Sequence, residues 1–250
     1  MRYSACIEML FVPEHPDFIE RIHAARAAGL DAVEFWKWSN KDLDAVENAL
    51  RETGLPLASI LCEREGVLAN GQHHERILEG VARSLEVAQR LGTKIMIITT
   101  GDEQPGMSRA EQHAAIVRAL KEAAKIVQGT GVTLALEPLN DRVDHPGYYL
   151  TSTEEGLDII DEVGRPEVKL LYDIYHSAVM GEEIETVLDG RLDRVVHVHL
   201  ADAPGRGEPG SGAMDWADRL EWLEKRGYEG YVGLEYRPSI GTVEGLAFRF

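Results

Sequence analysis

The sequence is poor in cysteine and in positive charge. Its 250 residues include only two cysteines, Cys6 and Cys62, which excludes a disulfide framework. Lys and Arg number 26 against 43 Asp and Glu, so the net charge is −17. Nucleic acids and anionic membranes bind clustered Lys and Arg, and this balance argues against both as partners. A small anionic ligand stays compatible, because it responds to the local field rather than to the net charge.

Long apolar runs are also missing. No segment approaches the roughly 18 consecutive apolar residues that span a bilayer. Glu8 interrupts the apolar stretch near the N-terminus, and no small-residue cleavage site follows it, so we predict no signal peptide. The 44% of hydrophobic and 28% of charged residues are ordinary for a globular protein. We therefore expect a cytoplasmic protein with a sizeable core.

Short apolar runs recur along the chain and are typical of parallel strands buried on both faces. We predict eight of them: Ser4–Met9, Asp31–Trp36, Leu57–Cys62, Lys94–Thr99, Thr133–Glu137, Val168–Asp173, Val195–His199 and Tyr231–Glu235. Eight strands alternating with helices in 250 residues indicate the α/β class and a single (β/α)8 barrel, or TIM barrel, with residues 1–250 as one domain. A doubly wound open sheet is the competing fold, but the glycine fingerprint that often follows its first strand is absent after Met9.

Amphipathic stretches between these runs predict the helices. Ser108 followed by Glu111, and Ser152 followed by Glu155, each match a capping box ahead of an apolar stripe. No linker or low-complexity segment divides the chain. The longest irregular segments, 138–151 and 201–212, both follow predicted strands, where barrel enzymes place their chemistry.

Four consecutive strands end in a polar residue that could bind a metal. In a barrel these ends converge on one mouth, and they carry Glu137, Asp173, His199 and Glu235. Three converging carboxylates repel one another unless a cation is present. Oxygen ligands with one nitrogen suit Mn²⁺, Mg²⁺ or Co²⁺ better than a structural zinc site. His197 points to the same face as His199 but lies deeper, so we interpret it as structural.

Four segments resemble the xylose-isomerase-like barrels, in particular the hydroxypyruvate isomerase family and its ketose 3-epimerase relatives. They are Leu136-Glu137-Pro138-Leu139-Asn140, Tyr172-Asp173-Ile174-Tyr175-His176, the run from His197 to Gly210 and Gly233-Leu234-Glu235-Tyr236-Arg237-Pro238. The resemblance extends over essentially the whole chain. Its Pro-Gly-Arg-x-Glu-Pro-Gly loop is similar to the hydroxypyruvate isomerase side of the group.

The resemblance implies a role for each of these residues. Glu137, Asp173, His199 and Glu235 would bind one divalent metal, Mn²⁺ or Mg²⁺ with Co²⁺ as a further option, and Glu137 and Glu235 would also form the acid–base pair. His176 and Arg206 would contact the substrate. A guanidinium can hold a carboxylate through two hydrogen bonds, which a 2-oxo acid supplies and a neutral ketose does not. Further substrate-contact candidates at the other strand ends are Trp36, Glu63 and Arg64.

Two departures from the family pattern bear on the substrate. Many hydroxypyruvate isomerases carry Gln where this chain has His199, whereas the epimerases carry His. The epimerases also have a substrate-binding acid a few residues after the first glutamate, and Val143 stands at about that place.

The sequence therefore favours a metal-dependent isomerase of a small hydroxy-carbonyl compound, hydroxypyruvate or a related 2-oxo sugar acid. The alternatives are a ketose 3-epimerase, a metal-dependent hydrolase and a non-catalytic sugar-binding barrel. The expected partner is a small-molecule sugar or 2-oxo acid. Trp216 and Trp222 could lie in an interface helix of a homo-oligomer or pack on the barrel, and the sequence leaves both open.

Overall fold

The computed structural model describes residues 1–249, in which eight parallel strands close into a barrel. Each strand pairs with the next in sequence, and the last pairs with the first. The strands are β1 (Arg2–Cys6), β2 (Ala32–Phe35), β3 (Leu57–Leu61), β4 (Ile95–Ile98), β5 (Thr133–Leu136), β6 (Val168–Asp173), β7 (Val195–Leu200) and β8 (Tyr231–Leu234). The predicted (β/α)8 barrel is confirmed.

Helices follow the strands and pack against the outer face of the barrel. They are α1 (Phe18–Ala27), α2 (Leu43–Thr53), α3 (His74–Leu91), α4 (Arg109–Val127), α5 (Thr153–Val163), α6 (Ile174–Met180), α7 (Ile184–Val187), α8 (Trp216–Lys225) and α9 (Thr242–Gly245). Within residues 1–249, every helix is too short or too polar to cross a bilayer. Trp222 is buried and Trp216 packs edge-on against Phe248, so both tryptophans contact the rest of this chain.

Helix α4 begins as the sequence predicts, and α5 does so only in part. The Ser108 side chain accepts from the Glu111 N–H and the Glu111 carboxylate accepts from the Ser108 N–H, which is a complete capping box. At α5 the Ser152 hydroxyl accepts from the Glu155 N–H. The Glu155 carboxylate instead contacts Arg109 Nη2 at 2.5 Å, because that guanidinium lies within reach on the neighbouring helix.

The predicted bounds of β6 are confirmed, and those of the other seven strands differ from the observed ones by at most three residues. Strand β1 lies nearer the N-terminus than predicted, because the N–H groups of Met9 and Leu10 both donate to the Cys6 carbonyl and turn the chain. Glu137 and Glu235 come directly after β5 and β8 rather than within them. They still leave the sheet at its carboxyl end, which is the edge where the mouth of a barrel forms.

The inside of the barrel is apolar on one side and polar on the other. Ile97, Ala135 and Leu171 form a small buried cluster from β4, β5 and β6. Leu171 pairs with His197 across β6 and β7, so the two residues face the same interior. The β2 side of the interior carries the buried carboxylate of Glu34. The apolar side chains fill part of the barrel interior, while the polar ones lie beneath the strand ends that form the mouth.

Candidate metal centre and active site

Glu137, Asp173, His199 and Glu235 meet at the carboxyl end of the barrel. Asp173 pairs with His199 across β6 and β7, and His199 pairs with Gly233 across β7 and β8. All four side chains are buried, and each offers one ligand atom within 4.8 Å of the others. His199 Nδ1 lies 3.3 Å from Glu137 Oε1, 3.6 Å from Glu235 Oε2 and 3.8 Å from Asp173 Oδ2. The structure thus brings the four predicted ligands together.

Three carboxylates in one buried site repel one another. Burial, with Glu235 and Asp173 alongside, raises the pKa of the Glu137 carboxyl to about 7, although His199 opposes the rise. Burial also opposes the charge on His199, but the surrounding carboxylates Glu235 and Glu34 raise its pKa well above the usual value. The cluster is therefore a place where positive charge is stabilised.

The donor set fits a divalent cation. Three carboxylate oxygens and one imidazole nitrogen are ligands that Mn²⁺, Mg²⁺ and Co²⁺ accept. A divalent charge would also offset the repulsion that raises the pKa of Glu137. Glu137 and Glu235 of this cluster also line a cavity, so a small molecule there would lie next to the cation.

Two donors fix the carboxylate of Glu235. The indole N–H of Trp36 donates to Oε1 at 2.6 Å, and Arg206 Nη2 donates to Oε2 at 2.5 Å. Trp36 is 36% exposed, so it also presents its ring to the mouth. Trp36 and Arg206, both predicted as substrate contacts, therefore orient the candidate acid–base residue Glu235.

The loop after β7 is built to hold Arg206. The Asp202 carboxylate accepts the backbone N–H groups of Ala203, Gly210 and Met214, which ties the start of the loop to its end. Arg206 itself has a left-handed φ of 54° and is buried, a costly combination for a non-glycine residue. The surrounding loop keeps this backbone in place and turns the guanidinium into the mouth.

The guanidinium of Arg206 has donors that the described residues do not use. Nη2 donates to Glu235, and Nη1 lies 3.7 Å from Asp144 Oδ1. The Nε–H is buried and has no hydrogen-bond partner in the part of the chain that the structure describes. Tyr175 flanks the guanidinium, 5.3 Å from the ring centre. An anionic substrate would find a free, desolvated donor here.

His176 is held as a hydrogen-bond donor toward the mouth. Its Nδ1 accepts from the Asn140 backbone N–H at 3.0 Å and lies 2.7 Å from Asn140 Nδ2. With Nδ1 occupied as an acceptor, the neutral ring carries its proton on Nε2. That nitrogen is buried, has no partner among residues 1–249 and lies 3.7 Å from Asp173 Oδ2.

A cavity of about 200 Å³ opens beside the cluster, large enough for a molecule of a few carbon atoms. Both apolar and polar side chains line it. It is lined by Trp36, Leu61, Glu137, Leu139, His145, His176, Arg206 and Glu235.

Glu63 and Arg64, the other two predicted substrate contacts, bind groups of nearby loops instead. The Glu63 carboxylate accepts from the backbone N–H groups of Trp38 and Ser39, at 2.6 and 2.7 Å, and from the Ser39 hydroxyl at 2.6 Å. Arg64 donates to the carbonyls of Gly66 and Thr99 and to the Thr99 hydroxyl. Neither side chain lines the cavity, because local backbone groups occupy the polar atoms of both.

Sequence reasoning overlooked three polar residues of this region. Asp144, next to the exposed Val143, accepts from Tyr175 and Asn140 and faces Arg206. His145 lines the cavity. Glu34 lies with its Oε1 3.2 Å from His199 Nε2. Only Glu34 carries a signal in the sequence, since a charged residue inside the apolar run Ala32–Phe35 must find buried partners.

The chain is similar to known proteins over nearly its whole length. The profile described as xylose isomerase-like TIM barrel matches residues 22–249. The hydroxypyruvate isomerase of Escherichia coli K12 is 32% identical, over 98% of this chain and 97% of that protein. The 2-oxo-tetronate isomerase of Cupriavidus necator is 31% identical, over 99% of this chain and 96% of that protein.

A solved structure shows the same architecture. The protein from Brucella melitensis described as an AP endonuclease of family 2 superposes with a TM-score of 0.93 at 27% identity, over 99% of this chain and 97% of that one.

Proposed function

The chain belongs to the xylose isomerase-like TIM barrel family, and from that premise we propose that it is a metal-dependent isomerase of small hydroxy-keto acids. Hydroxypyruvate and 2-oxo-tetronate represent the substrate class. The observation that carries the proposal is the buried cluster of three carboxylates and one imidazole, with Arg206 beside it in a cavity of about 200 Å³. A curated relative named for each of these two substrates, each matched over nearly its whole length, supports the same class.

Glu137, Asp173, His199 and Glu235 would hold the cation, with Mn²⁺ or Mg²⁺ as the proposed ion. Such a cation acts as a Lewis acid toward the carbonyl and hydroxyl oxygens of a substrate. The chain's own groups then move the protons. We assign the transfers at carbon to the carboxylates of Glu137 and Glu235, which both lie within 3.6 Å of His199 Nδ1 and both line the cavity.

The transfers balance without any co-reactant. One carboxylate removes a proton from the hydroxyl-bearing carbon, and the electron pair left behind forms the double bond of an enediol as the carbonyl oxygen gains a proton. Return of a proton to the former carbonyl carbon, with loss of the proton from the other oxygen, leaves the carbonyl on the neighbouring carbon. His176 lines the cavity and its Nε2–H has no hydrogen-bond partner among the described residues, so it would donate to one of these oxygens.

Arg206 favours an acidic substrate over a neutral sugar. Its buried and unpartnered Nε–H would donate to the substrate carboxylate, a charge-assisted bond that a neutral ketose does not make. Glu235 already pairs the charge of this guanidinium, but a buried N–H without an acceptor is costly, and a substrate carboxylate would supply that acceptor.

The test is a comparison of substrates with the same Mn²⁺-supplied protein. Hydroxypyruvate and 2-oxo-tetronate are assayed against the neutral ketose D-tagatose, and NMR in D₂O follows deuterium entering at carbon. One charge-assisted hydrogen bond from Arg206 corresponds to about 10–100-fold in kcat/KM in favour of the acids. Turnover of neutral ketoses alone would refute the hydroxy-keto acid assignment and favour the 3-epimerase alternative.

Two other functions are tested with the same protein, with a phosphodiester substrate added to the set. Metal binding without turnover of any of these compounds would favour a sugar-binding protein. Phosphodiester cleavage would favour a hydrolase, which the charge of −17 opposes for a DNA substrate.

A further inference from the structure

A second group of buried polar side chains lies beneath the proposed metal ligands. Glu34, in the middle of β2, is 2% exposed. Its Oε2 lies 2.7 Å from His197 Nε2 and accepts from the hydroxyls of Ser4 at 3.1 Å and Ser59 at 3.3 Å. Its Oε1 lies 3.2 Å from His199 Nε2, and neither of these two buried atoms makes a hydrogen bond to any described residue.

His199 therefore stands between two sets of carboxylates. Its Nδ1 faces Glu137, Asp173 and Glu235, while its Nε2 faces Glu34. An imidazole that gives the lone pair of Nδ1 to a metal keeps its proton on Nε2, and an acceptor next to Nε2 stabilises that arrangement.

The space between β2 and β7 is shaped for this contact. A Cβ atom at Gly233, on β8, would lie 2.2 Å from Glu34 Oε1 and 2.7 Å from His199 Cδ2. Any side chain there would push the two groups apart, so glycine is needed for their close approach. Three contacts already occupy Oε2 of Glu34, which means that the carboxylate does not need His199 for its own burial.

We propose that Glu34 is a positioning residue for the metal centre: it holds the proton on His199 Nε2 and so presents Nδ1 to the divalent cation. The inference rests on the proposed metal dependence. The four proposed ligands all follow strands of the second half of the barrel, β5 to β8, and Glu34 adds a fifth residue from the first half. Glu34 acts through His199 and does not itself touch the cation.

Mn²⁺ affinity of the full chain tests this without any substrate. Glu34→Gln keeps the size of the side chain and removes its charge, and we expect it to weaken Mn²⁺ binding about 10–100-fold in titration calorimetry. Turnover should recover when excess Mn²⁺ saturates the variant. Ser59→Ala is the matched control, because it removes a contact to Oε2 and leaves Oε1 facing His199; its Mn²⁺ affinity should stay within about threefold of wild type. Thermal unfolding of each variant shows whether it folds.

The outcomes separate this inference from the proposed function. If the wild type binds no Mn²⁺, the proposed metal centre fails and the inference fails with it. If the wild type binds Mn²⁺ and Glu34→Gln binds it equally well, the metal centre stands and the inference is overturned. NMR of the Mg²⁺-loaded wild type gives an answer even if the variant does not fold: a downfield Nε2 proton of His199, hydrogen-bonded to the Glu34 carboxylate, is expected, and an Nε2 proton at the shift of an imidazole without an acceptor would contradict the proposal.

Discussion

The first half of the barrel, β1 to β4 with their loops, and the second half, β5 to β8, both have polar side chains at their strand ends. These side chains have different partners in the two halves. In the second half, Asp173 and Glu235 face each other and His199 across a buried cluster. In the first half, the Glu63 carboxylate receives three hydrogen bonds from its neighbouring loop, and Arg64 caps the end of β4. A carboxylate whose two oxygens both accept from the adjacent loop, as in Glu63, stabilises the fold. The second-half carboxylates each keep an oxygen that faces His199, and such oxygens can hold a cation. The partners of a strand-end residue, rather than its position, decide its use.

The largest effect is expected in the second half, at Glu137. Glu137→Gln preserves shape and removes the base that we assign to proton transfer, so kcat should fall by about 10²–10⁴-fold. Mn²⁺ binding measured on the same sample separates loss of the base from loss of the metal. If turnover persists at the wild-type rate with metal bound, Glu137 is not the base, and the distinction between the halves loses its strongest support.

A smaller effect is expected at Arg206. Arg206→Lys keeps the charge but loses the planar set of donors, so kcat/KM for hydroxypyruvate should fall about 10–100-fold, the value of a charge-assisted hydrogen bond. Dihydroxyacetone, which has a hydroxymethyl group in place of the carboxylate, is the control substrate. An equal loss on both compounds would mean that Arg206 only orients Glu235 and does not meet the substrate carboxylate.

The sequence predicted which residues of the second half come together, but it did not predict the contacts that the first-half residues make. The ligand positions follow from apolar runs that end in polar residues, since a barrel must bring those ends to one mouth. Contacts such as Trp36 to Glu235 and His197 to Glu34 join residues 199 and 163 positions apart, and no local pattern encodes them. The role of Glu63 depended on where the backbone N–H groups of the adjacent loop point, which residue types alone do not reveal.

The hydrogen bond from Trp36 to Glu235 joins the first half of the site to the second, and one substitution removes it. Trp36→Phe keeps an aromatic ring at the mouth and removes the N–H that donates to Glu235 Oε1 at 2.6 Å. Because Trp36 is 36% exposed, water can partly replace this donor, and we expect kcat to fall only about tenfold. Trp38→Phe is the matched control, since its indole N–H donates to the Ser84 hydroxyl. Equal activities of the two variants would show that Glu235 does not need its first-half partner.

The smallest catalytic effect is expected at Glu63. The sequence predicts that this acid contacts the substrate, whereas in the structure it binds backbone N–H groups of the adjacent loop. Glu63→Gln leaves backbone donors of Trp38 and Ser39 facing an amide in place of a carboxylate, so the free energy of unfolding should fall by about 1–3 kcal/mol in urea titration. Since Glu63 does not line the cavity, kcat and KM should stay within about twofold of wild type. A large rise in KM with stability unchanged would restore the sequence-based prediction that Glu63 contacts the substrate, and would show that first-half strand ends also serve the chemistry.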